Sequence, residues 1–440
     1  MRSPDGLRFS PAFRWGTATS AHQVEGNNAN NDWWAWEQDP GRVPSGDRSG
    51  RACNWWEEAE RDFDRAAELH QNAHRLSIEW SRVEPSPGRW DDHALDRYRQ
   101  MLRGLQERGI EPMVTLHHFT NPIWVAERGG WERNDAPALF ARYVEHIVPA
   151  LQDFTSLWCT VNEPMAWVFN AYLTGKWPPA QHSVWRAFTA ASNLVWAHAA
   201  AYRIIHRAQP NAEVGFANYF RLFDPANPAL PLDRLITRQQ DAVFNRAFVE
   251  AVTDGRVRTL LWRANFTGAA KTLDFLGVNY YTRDLVAFDI RQPGVLFGRN
   301  FHPPESEMSD GGHGEIYPEG MYRVLRMAAA FGRPVYVTEN GLPDADDDQR
   351  PRFIVTHLYE LWRALQEGVP VRGYYHWSLI DNFEWAEGWN LKFGLIAVDP
   401  VTQVRTPRPS AHLYADICRQ GMLTQELLDR YVARASAVPS

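Results

Sequence analysis

The sequence predicts an α/β fold, a single (β/α)8 TIM barrel over residues 1–440 with its active site at the C-terminal ends of the strands. Eight short apolar runs recur along the 440 residues, and helix-like stretches lie between them. No glycine-rich phosphate loop follows the first run, which disfavours the alternative, a doubly wound open sheet. No repeat or Gly/Ser linker divides the chain, and only its end, about 430–440, is expected to be a frayed tail.

The predicted strands are followed by stretches with helical spacing of apolar residues. The stretch 92–107 begins with acidic residues and ends at Gly109. The stretch 190–208 repeats apolar residues every three or four positions, and 357–366 does so until Gly368. In chain order, the eight predicted strands are 13–18, 73–78, 112–116, 157–161, 213–217, 273–279, 334–338 and 371–377.

Charge and composition exclude several classes of protein. The formal net charge is −7 and no basic block is present, which argues against nucleic-acid binding. The sequence has no run of about 18 apolar residues, so no membrane-spanning helix is predicted. The three cysteines, Cys53, Cys159 and Cys418, fit neither a disulfide framework nor a zinc site. Together with an N-terminus that lacks the apolar stretch of a signal peptide, they predict a cytoplasmic protein.

The sequence contains 20 tryptophans, and 13% of its residues are aromatic. One interpretation is a tryptophan-rich core, in which each indole N–H finds a partner. The other is a pocket whose flat walls contact the apolar faces of sugar rings. Composition alone does not distinguish between these interpretations.

Two glutamates follow predicted strands at the end where a barrel carries its chemistry. Glu163 comes after the fourth strand and Glu339 directly after the seventh, so both can face the barrel axis. Glycoside hydrolysis uses such a carboxyl pair, because one group protonates the leaving oxygen while the other attacks the anomeric carbon or activates water. Spacing alone favours the alternative of two separate surface glutamates in ion pairs.

The residues around both glutamates resemble the catalytic signatures of glycoside hydrolase family 1, the β-glucosidase family. These signatures are TVNEP at 160–164 and VTENG at 337–341. Four further segments resemble motifs of that family in the family's order, at 13–26, 74–82, 377–385 and 405–411. The resemblance therefore covers almost the whole chain.

The resemblance implies a retaining mechanism in which Glu339 is the nucleophile and Glu163 the acid/base. It implies that Arg75, Asn279 and Tyr281 support these two groups. It also implies a non-phosphorylated β-glucoside as substrate, with β-galactosides and β-fucosides tolerated, because Glu384 would repel a phosphate. No metal or cofactor is implied. The residues expected to bind the sugar are Gln23, His118, Phe119, Asn162, Trp377, Glu384, Trp385 and Phe393.

Three positions depart from the family pattern, and each lacks an indole that the family often has. They are Phe119, Met165 and His313. The hydrogen-bonding residues for the non-reducing sugar are retained. The sequence therefore predicts an altered site for the leaving group and an unaltered site for the sugar.

Three hypotheses of function follow. The first is an exo-acting retaining β-glycosidase that binds a small or oligosaccharide β-glycoside. The second is another retaining barrel enzyme, one that cuts inside polysaccharides; the matches at Gln23, Glu384 and Trp385 favour a closed pocket over its open cleft. The third is a non-catalytic carbohydrate-binding relative, which the presence of both glutamates disfavours. The sequence indicates neither the oligomeric state nor the natural leaving group.

Overall fold

The computed structural model describes residues 2–3 and 6–435 of the chain. Eight parallel strands close into a barrel in chain order, with the last strand paired to the first. Each begins and ends within two residues of its predicted counterpart, so the predicted (β/α)8 barrel is confirmed. The strands are β1 (Arg14–Ala18), β2 (Ala73–Ser77), β3 (Glu111–Thr115), β4 (Leu157–Asn162), β5 (Glu213–Tyr219), β6 (Phe275–Tyr280), β7 (Val335–Asn340) and β8 (Val371–Trp377).

A helix follows each barrel strand. Helix α2 has the predicted bounds, because the Asp91 carboxylate accepts hydrogen bonds from the first free N–H groups of the helix. Helices α4 and α7 begin six and seven residues earlier than predicted. The helices are α1 (Trp55–Glu68), α2 (Asp92–Glu107), α3 (Ala136–Leu151), α4 (Val184–Ala208), α5 (Ala247–Thr253), α6 (Glu319–Ala329), α7 (Arg350–Gln366) and α8 (Pro409–Gln420).

Shorter elements cap the barrel and build its mouth. Helix α5 continues a helix at Pro231–Asp241 through a π-helical segment at Ala242–Arg246, and a second π-helical segment lies at Phe169–Leu173. The other α-helices are Ala21–Val24, Asp32–Gln38, Trp80–Val83, Ile123–Ala126, Pro164–Val168 and Gln425–Ala435. The strands outside the barrel are Arg2–Ser3, Gly6–Arg8, Leu222–Pro225, Arg256–Arg258, Arg263–Asn265, Arg283–Phe288, Gly298–Phe301, Ile396–Val398, Arg405–Pro407 and Met422–Thr424.

Two apolar cores hold the barrel together. The larger one fills the space between the strands and the surrounding helices. The smaller one fills the barrel interior, where Met113, Phe275 and Tyr336 pack against small residues such as Ala73 and Ala217. The interior of the barrel is therefore a packed core.

The strand pairing is irregular at the C-terminal ends of three strands. The register shifts near the end of β4, in β6 before Asn279, and in β7 before Asn340. Such bulges re-aim side chains and are common beside active sites. They lie at the strand ends that carry the predicted catalytic residues.

The last helix, Gln425–Ala435, extends into the segment predicted to be frayed, and the remainder of that segment, 436–440, lies outside the described residues. Among the described helices, none combines the length and the apolar character that crossing a bilayer requires.

Candidate active site

A cavity of about 210 Å³ lies at the C-terminal mouth of the barrel. Its wall includes ten of the thirteen side chains that the sequence assigned to the site. The residues that line it are His118, Phe119, Asn162, Glu163, Ala166, Asn170, Trp177, Tyr219, Arg221, Tyr281, His313, Glu339, Trp377, Glu384, Trp385 and Phe393.

Glu163 is placed by a sharp turn between β4 and the short helix Pro164–Val168. Its backbone is left-handed, with φ +43° and ψ +54°, an uncommon and strained conformation for a residue other than glycine. Pro164 fits the first position of the helix because its fixed φ suits that turn. The Asn279 side-chain amide at the end of β6 donates a hydrogen bond of 2.8 Å to Glu163 Oε1.

Glu339 is held by a different donor at each carboxylate oxygen. Arg75 Nη1 on β2 donates to Oε1 at 2.5 Å, and the Tyr281 hydroxyl donates to Oε2 at 2.6 Å. Both Arg75 and Glu339 are almost fully buried. The carboxylate is therefore oriented by two fixed donors, one of which is a full positive charge.

The surroundings of the two glutamates affect their pKa values differently. Burial raises the pKa of Glu163 to about 8, and the negative charge of Glu339 adds to this effect. Burial also raises the pKa of Glu339, but the Arg75 cation and the Tyr281 hydroxyl oppose it. Since Arg75 pairs directly with Glu339, we expect the shared proton to lie on Glu163.

Asn162 connects the arginine to a histidine on the pocket wall. Its Oδ1 accepts from Arg75 Nη2 at 2.6 Å, so its Nδ2 must be the atom that faces His118 Nε2 at 3.1 Å. Burial and the nearby Arg75 hold the pKa of His118 well below its usual value, so the ring is neutral. The proton therefore lies on His118 Nδ1, which is buried and has no partner among the described residues.

The segment after β8 supplies the opposite wall. Trp377 Nε1 donates to Glu384 Oε1 at 3.2 Å, and burial raises the pKa of Glu384 to about 8. Gln23, predicted to contact the sugar, is fully buried behind this wall. Its side-chain amide donates to Asn382 Oδ1 and to the carbonyl oxygen of Phe383.

Aromatic rings form the remaining wall. The His118 ring is nearly parallel to the indoles of Trp377 and Trp385, at centroid distances of 6.0 and 6.1 Å. Phe119 packs on Trp177 at 4.9 Å and on Trp385 at 5.2 Å. Trp177 thus supplies an indole to the wall beside Phe119, one of the positions where the sequence lacks the family's indole.

Three predicted residues lie behind the wall, and six residues that the site prediction omitted lie on it. Arg75 donates to Glu339 and Asn279 donates to Glu163, whereas Gln23 donates to Asn382 and to the carbonyl oxygen of Phe383. Tyr219 directly ends β5 and could have been found from that position. The other omitted residues come from loops and short helices without a sequence signal for the site, apart from His313, which the sequence marked only as a departure. The six are Ala166, Asn170, Trp177, Tyr219, Arg221 and His313.

A group of carboxylates lies in the loop between β7 and α7, away from the lining of this pocket. Asp344, Asp346 and Asp348 have carboxylate oxygens within 4.8 Å of one another. Asp344 is buried, and its Oδ2 accepts from the backbone N–H groups of Gln349 and Arg350. These bonds explain why α7 begins at Arg350, well before its predicted start.

Known proteins resemble the chain over most of its length. The profile of glycosyl hydrolase family 1 matches residues 7–422. Beta-glucosidase A of Thermotoga maritima is 30% identical over 444 residues, which cover 94% of this chain and 99% of that protein. A beta-galactosidase of Pyrococcus woesei is 31% identical over 503 residues, which cover 95% of this chain and 98% of that protein.

Solved structures agree with these relatives. A beta-glycosidase from Pyrococcus horikoshii matches with a TM-score of 0.91 and 39% identity, and the match covers 99% of both chains. The beta-glucosidase from Thermotoga maritima in complex with glucoimidazole matches with a TM-score of 0.90 and 30% identity, over 94% of this chain and all of that one. The chain therefore belongs to glycosyl hydrolase family 1.

Proposed function

We propose that the protein is an exo-acting, retaining β-glycosidase that removes the terminal non-reducing sugar, β-glucose foremost, from a β-glycoside. The observation that carries this proposal is the unequal pair of buried glutamates. Glu339 accepts hydrogen bonds from the Arg75 guanidinium and the Tyr281 hydroxyl. Glu163 accepts one from the Asn279 amide, and burial raises its pKa. A nucleophile must be ionised and a general acid must be protonated, and these surroundings favour the first state for Glu339 and the second for Glu163.

In the first step, the Glu339 carboxylate attacks the anomeric carbon and forms an ester bond to it. The bond from that carbon to the glycosidic oxygen breaks, and the Glu163 carboxyl transfers its proton to the departing oxygen. Arg75 and Tyr281 hold the attacking carboxylate in one orientation, which reduces the entropy cost of reaching the transition state.

In the second step, water attacks the anomeric carbon and the ester bond to Glu339 breaks. Formation of the ester removes the charge of Glu339, which is one cause of the raised pKa of Glu163. The Glu163 pKa therefore falls, and its carboxylate can accept the proton of the attacking water. One residue thus serves as acid and then as base.

The polar wall after β8 supports the binding of a terminal sugar. Trp377, Glu384 and Trp385 form a wall after β8 in which Glu384 can accept hydrogen bonds from sugar hydroxyls. Similar solved structures hold glucoimidazole and castanospermine. Relatives named beta-glucosidase and beta-galactosidase support a β-glucoside as substrate with β-galactosides tolerated.

A panel of aryl β-glycosides that vary only in the sugar tests this function, with Glu339→Gly as the inactive control. We expect the fastest hydrolysis with β-glucoside. Proton NMR of the first product should detect the β-anomer before mutarotation, and cello-oligosaccharides should release only monosaccharide at early times. An α-anomer would disprove retention, and internal cleavage would favour the endo-acting alternative.

We also propose a cytoplasmic location. The support is that Cys53, Cys159 and Cys418 are all buried and free of disulfides, as expected for a protein of a reducing compartment. Localising a tagged full-length chain by cell fractionation tests this proposal.

A further inference from the structure

The loop between β7 and α7 carries three aspartates, here called the acidic cluster, whose spacing is that of a cation site. Asp344, Asp346 and Asp348 occupy alternate positions, the D-x-D-x-D pattern with which calcium-binding loops begin. Their carboxylate oxygens lie within 4.8 Å of one another. A calcium ion holds its oxygen ligands at about 2.4 Å, so two oxygens on the same ion are at most about 4.8 Å apart. The three carboxylates are therefore close enough to share one ion.

Asp344 is a buried carboxylate with only one of its two oxygens satisfied. Its side chain is fully buried, and its Oδ2 accepts from the backbone N–H groups of Gln349 and Arg350. Its Oδ1 is also buried and has no hydrogen-bond partner among residues 2–3 and 6–435. A buried carboxylate oxygen without a partner is costly, and native proteins rarely contain one. A cation held by the acidic cluster would supply the partner that Oδ1 lacks.

The arginines beside the acidic cluster are engaged with other carboxylates. The Arg350 guanidinium donates to Asp347, and the Arg352 guanidinium donates to Glu307. In the part of the chain that the structure describes, no ion pair involves a member of the acidic cluster. The cluster therefore has negative charges that no side-chain cation neutralises directly.

A second loop brings a further carboxylate to the acidic cluster. Asp310, in the loop before α6, accepts a hydrogen bond from the backbone N–H of Ala345 at 2.8 Å. Its own backbone N–H donates to the carbonyl oxygen of Pro343. The negative charges of Asp310 and of the other two cluster members act on Asp348. Like charges at this range repel one another, so a divalent cation would convert a repulsive contact between the two loops into an attractive one.

The ligand chemistry of the acidic cluster favours calcium. Its donors are carboxylate oxygens, which suit Ca²⁺ and Mg²⁺, whereas most transition metals are held by histidine nitrogen or cysteine sulfur. Mg²⁺ requires a nearly ideal octahedron, but Ca²⁺ accepts six to eight oxygens in irregular geometry. Asp346 and Asp348 are exposed, so water can complete the shell on their side. Gln349 stands where calcium-binding loops have glycine, because α7 begins at the next residue.

We propose that the acidic cluster binds one calcium ion through the carboxylates of Asp344, Asp346 and Asp348. The ion would stabilise the contact between this loop and the loop that carries Asp310. His313, which lines the candidate active site, lies on that second loop. The ion would therefore hold part of the rim of the barrel mouth without touching the substrate. The proposal does not depend on the proposed β-glycosidase function.

Isothermal titration of the full chain with CaCl₂, after EDTA treatment and exhaustive dialysis, tests the proposal. We expect one Ca²⁺ per chain with a Kd on the order of 0.1–1 mM, the range of weak sites, because two of the three ligands are exposed. Tm at 10 mM CaCl₂ should exceed Tm in EDTA at equal ionic strength by about 2–3 °C. The absence of both signals would overturn the proposal, and so would binding of Mg²⁺ as tight as that of Ca²⁺.

Variants locate the ion in the acidic cluster. Asp346→Asn combined with Asp348→Asn should lower the calcium affinity at least about tenfold and remove the rise in Tm, because two charged ligands become neutral. Both side chains are exposed, so this variant should fold. Asp96→Asn combined with Asp416→Asn is the matched control, which removes two exposed charges from α2 and α8 and should bind calcium as the wild type does. Undiminished affinity in the cluster variant, or an equal loss in the control, would contradict the proposal.

Discussion

The cavity proposed to bind the sugar, here called the sugar pocket, shares Ala166, Asn170, Tyr219 and Arg221 with a neighbouring apolar chamber of about 180 Å³, and the two differ in the groups that they leave unpaired. In the sugar pocket, every charged group is fixed by a specific partner, such as Arg75 for Glu339, while His118 Nδ1 stays free. In the apolar chamber, polar groups such as Asp284 and Asn300 bind each other, and phenylalanine faces stay free. The sugar pocket offers directional hydrogen bonds, and the apolar chamber offers apolar surface area.

This difference has a consequence for specificity. A missing hydrogen bond leaves a buried polar group unpaired, so the sugar pocket should discriminate sharply between sugars. Apolar contact grows gradually with area, so the apolar chamber should discriminate less sharply between ligands. Variants of single residues can show whether the two spaces are separable in this way.

The largest effect is expected for the nucleophile. Glu339→Gln should lower kcat by on the order of 10⁵-fold for every leaving group, because no covalent intermediate can form. Steady-state rates on an aryl β-glucoside measure this loss. Glu111→Gln, at the N-terminal end of β3, is the matched control and should keep wild-type activity. Comparable activity in both variants would exclude Glu339 as nucleophile.

The second-largest effect depends on how much the leaving group needs a proton. Glu163→Ala should lower kcat/KM by roughly 10²- to 10⁴-fold on hexyl β-glucoside, whose oxygen needs a proton to depart. Dinitrophenyl β-glucoside should lose far less, since its leaving group is stable as an anion. Equal losses on the two substrates would refute the acid role of Glu163.

A smaller effect distinguishes the two spaces directly. Glu384→Ala should lower kcat/KM by roughly ten- to one-hundredfold, because it removes hydrogen bonds to the sugar. The factor should be the same for methyl and hexyl β-glucosides, because Glu384 lines the sugar pocket and not the apolar chamber. A loss confined to the hexyl substrate would show that the two spaces are not independent.

The smallest effect is a shift in pH dependence. The Tyr281 hydroxyl donates to Glu339 and so stabilises its ionised form, which lowers its pKa. In Tyr281→Phe the pKa of Glu339 should rise, and the acidic limb of kcat/KM should move to higher pH by about 0.7 unit, the equivalent of one neutral hydrogen bond. The alkaline limb, which depends on protonated Glu163, should move less. An acidic limb that stays in place would count against the orienting role of Tyr281.

The fold and the catalytic centre could be predicted from the sequence because both depend on strands. A buried parallel strand needs a short continuous apolar run, so the positions of β1 to β8 are encoded locally. A barrel brings all C-terminal strand ends to one mouth, so Glu163 and Glu339 could face each other there, but only the family resemblance favoured one site over two separate glutamates and added Tyr281 to it. The family resemblance added their expected roles.

The tertiary structure alone decided which side chains line the mouth and which support it from behind. Gln23, which the sequence predicts to contact the sugar, is fully buried, and its amide donates to Asn382 and to the carbonyl oxygen of Phe383. Trp177 and Phe244 come from a loop and a π-helical turn, whose positions depend on packing against distant elements and not on local periodicity. Strand ends are fixed by local sequence, whereas the walls between them form only when the barrel closes.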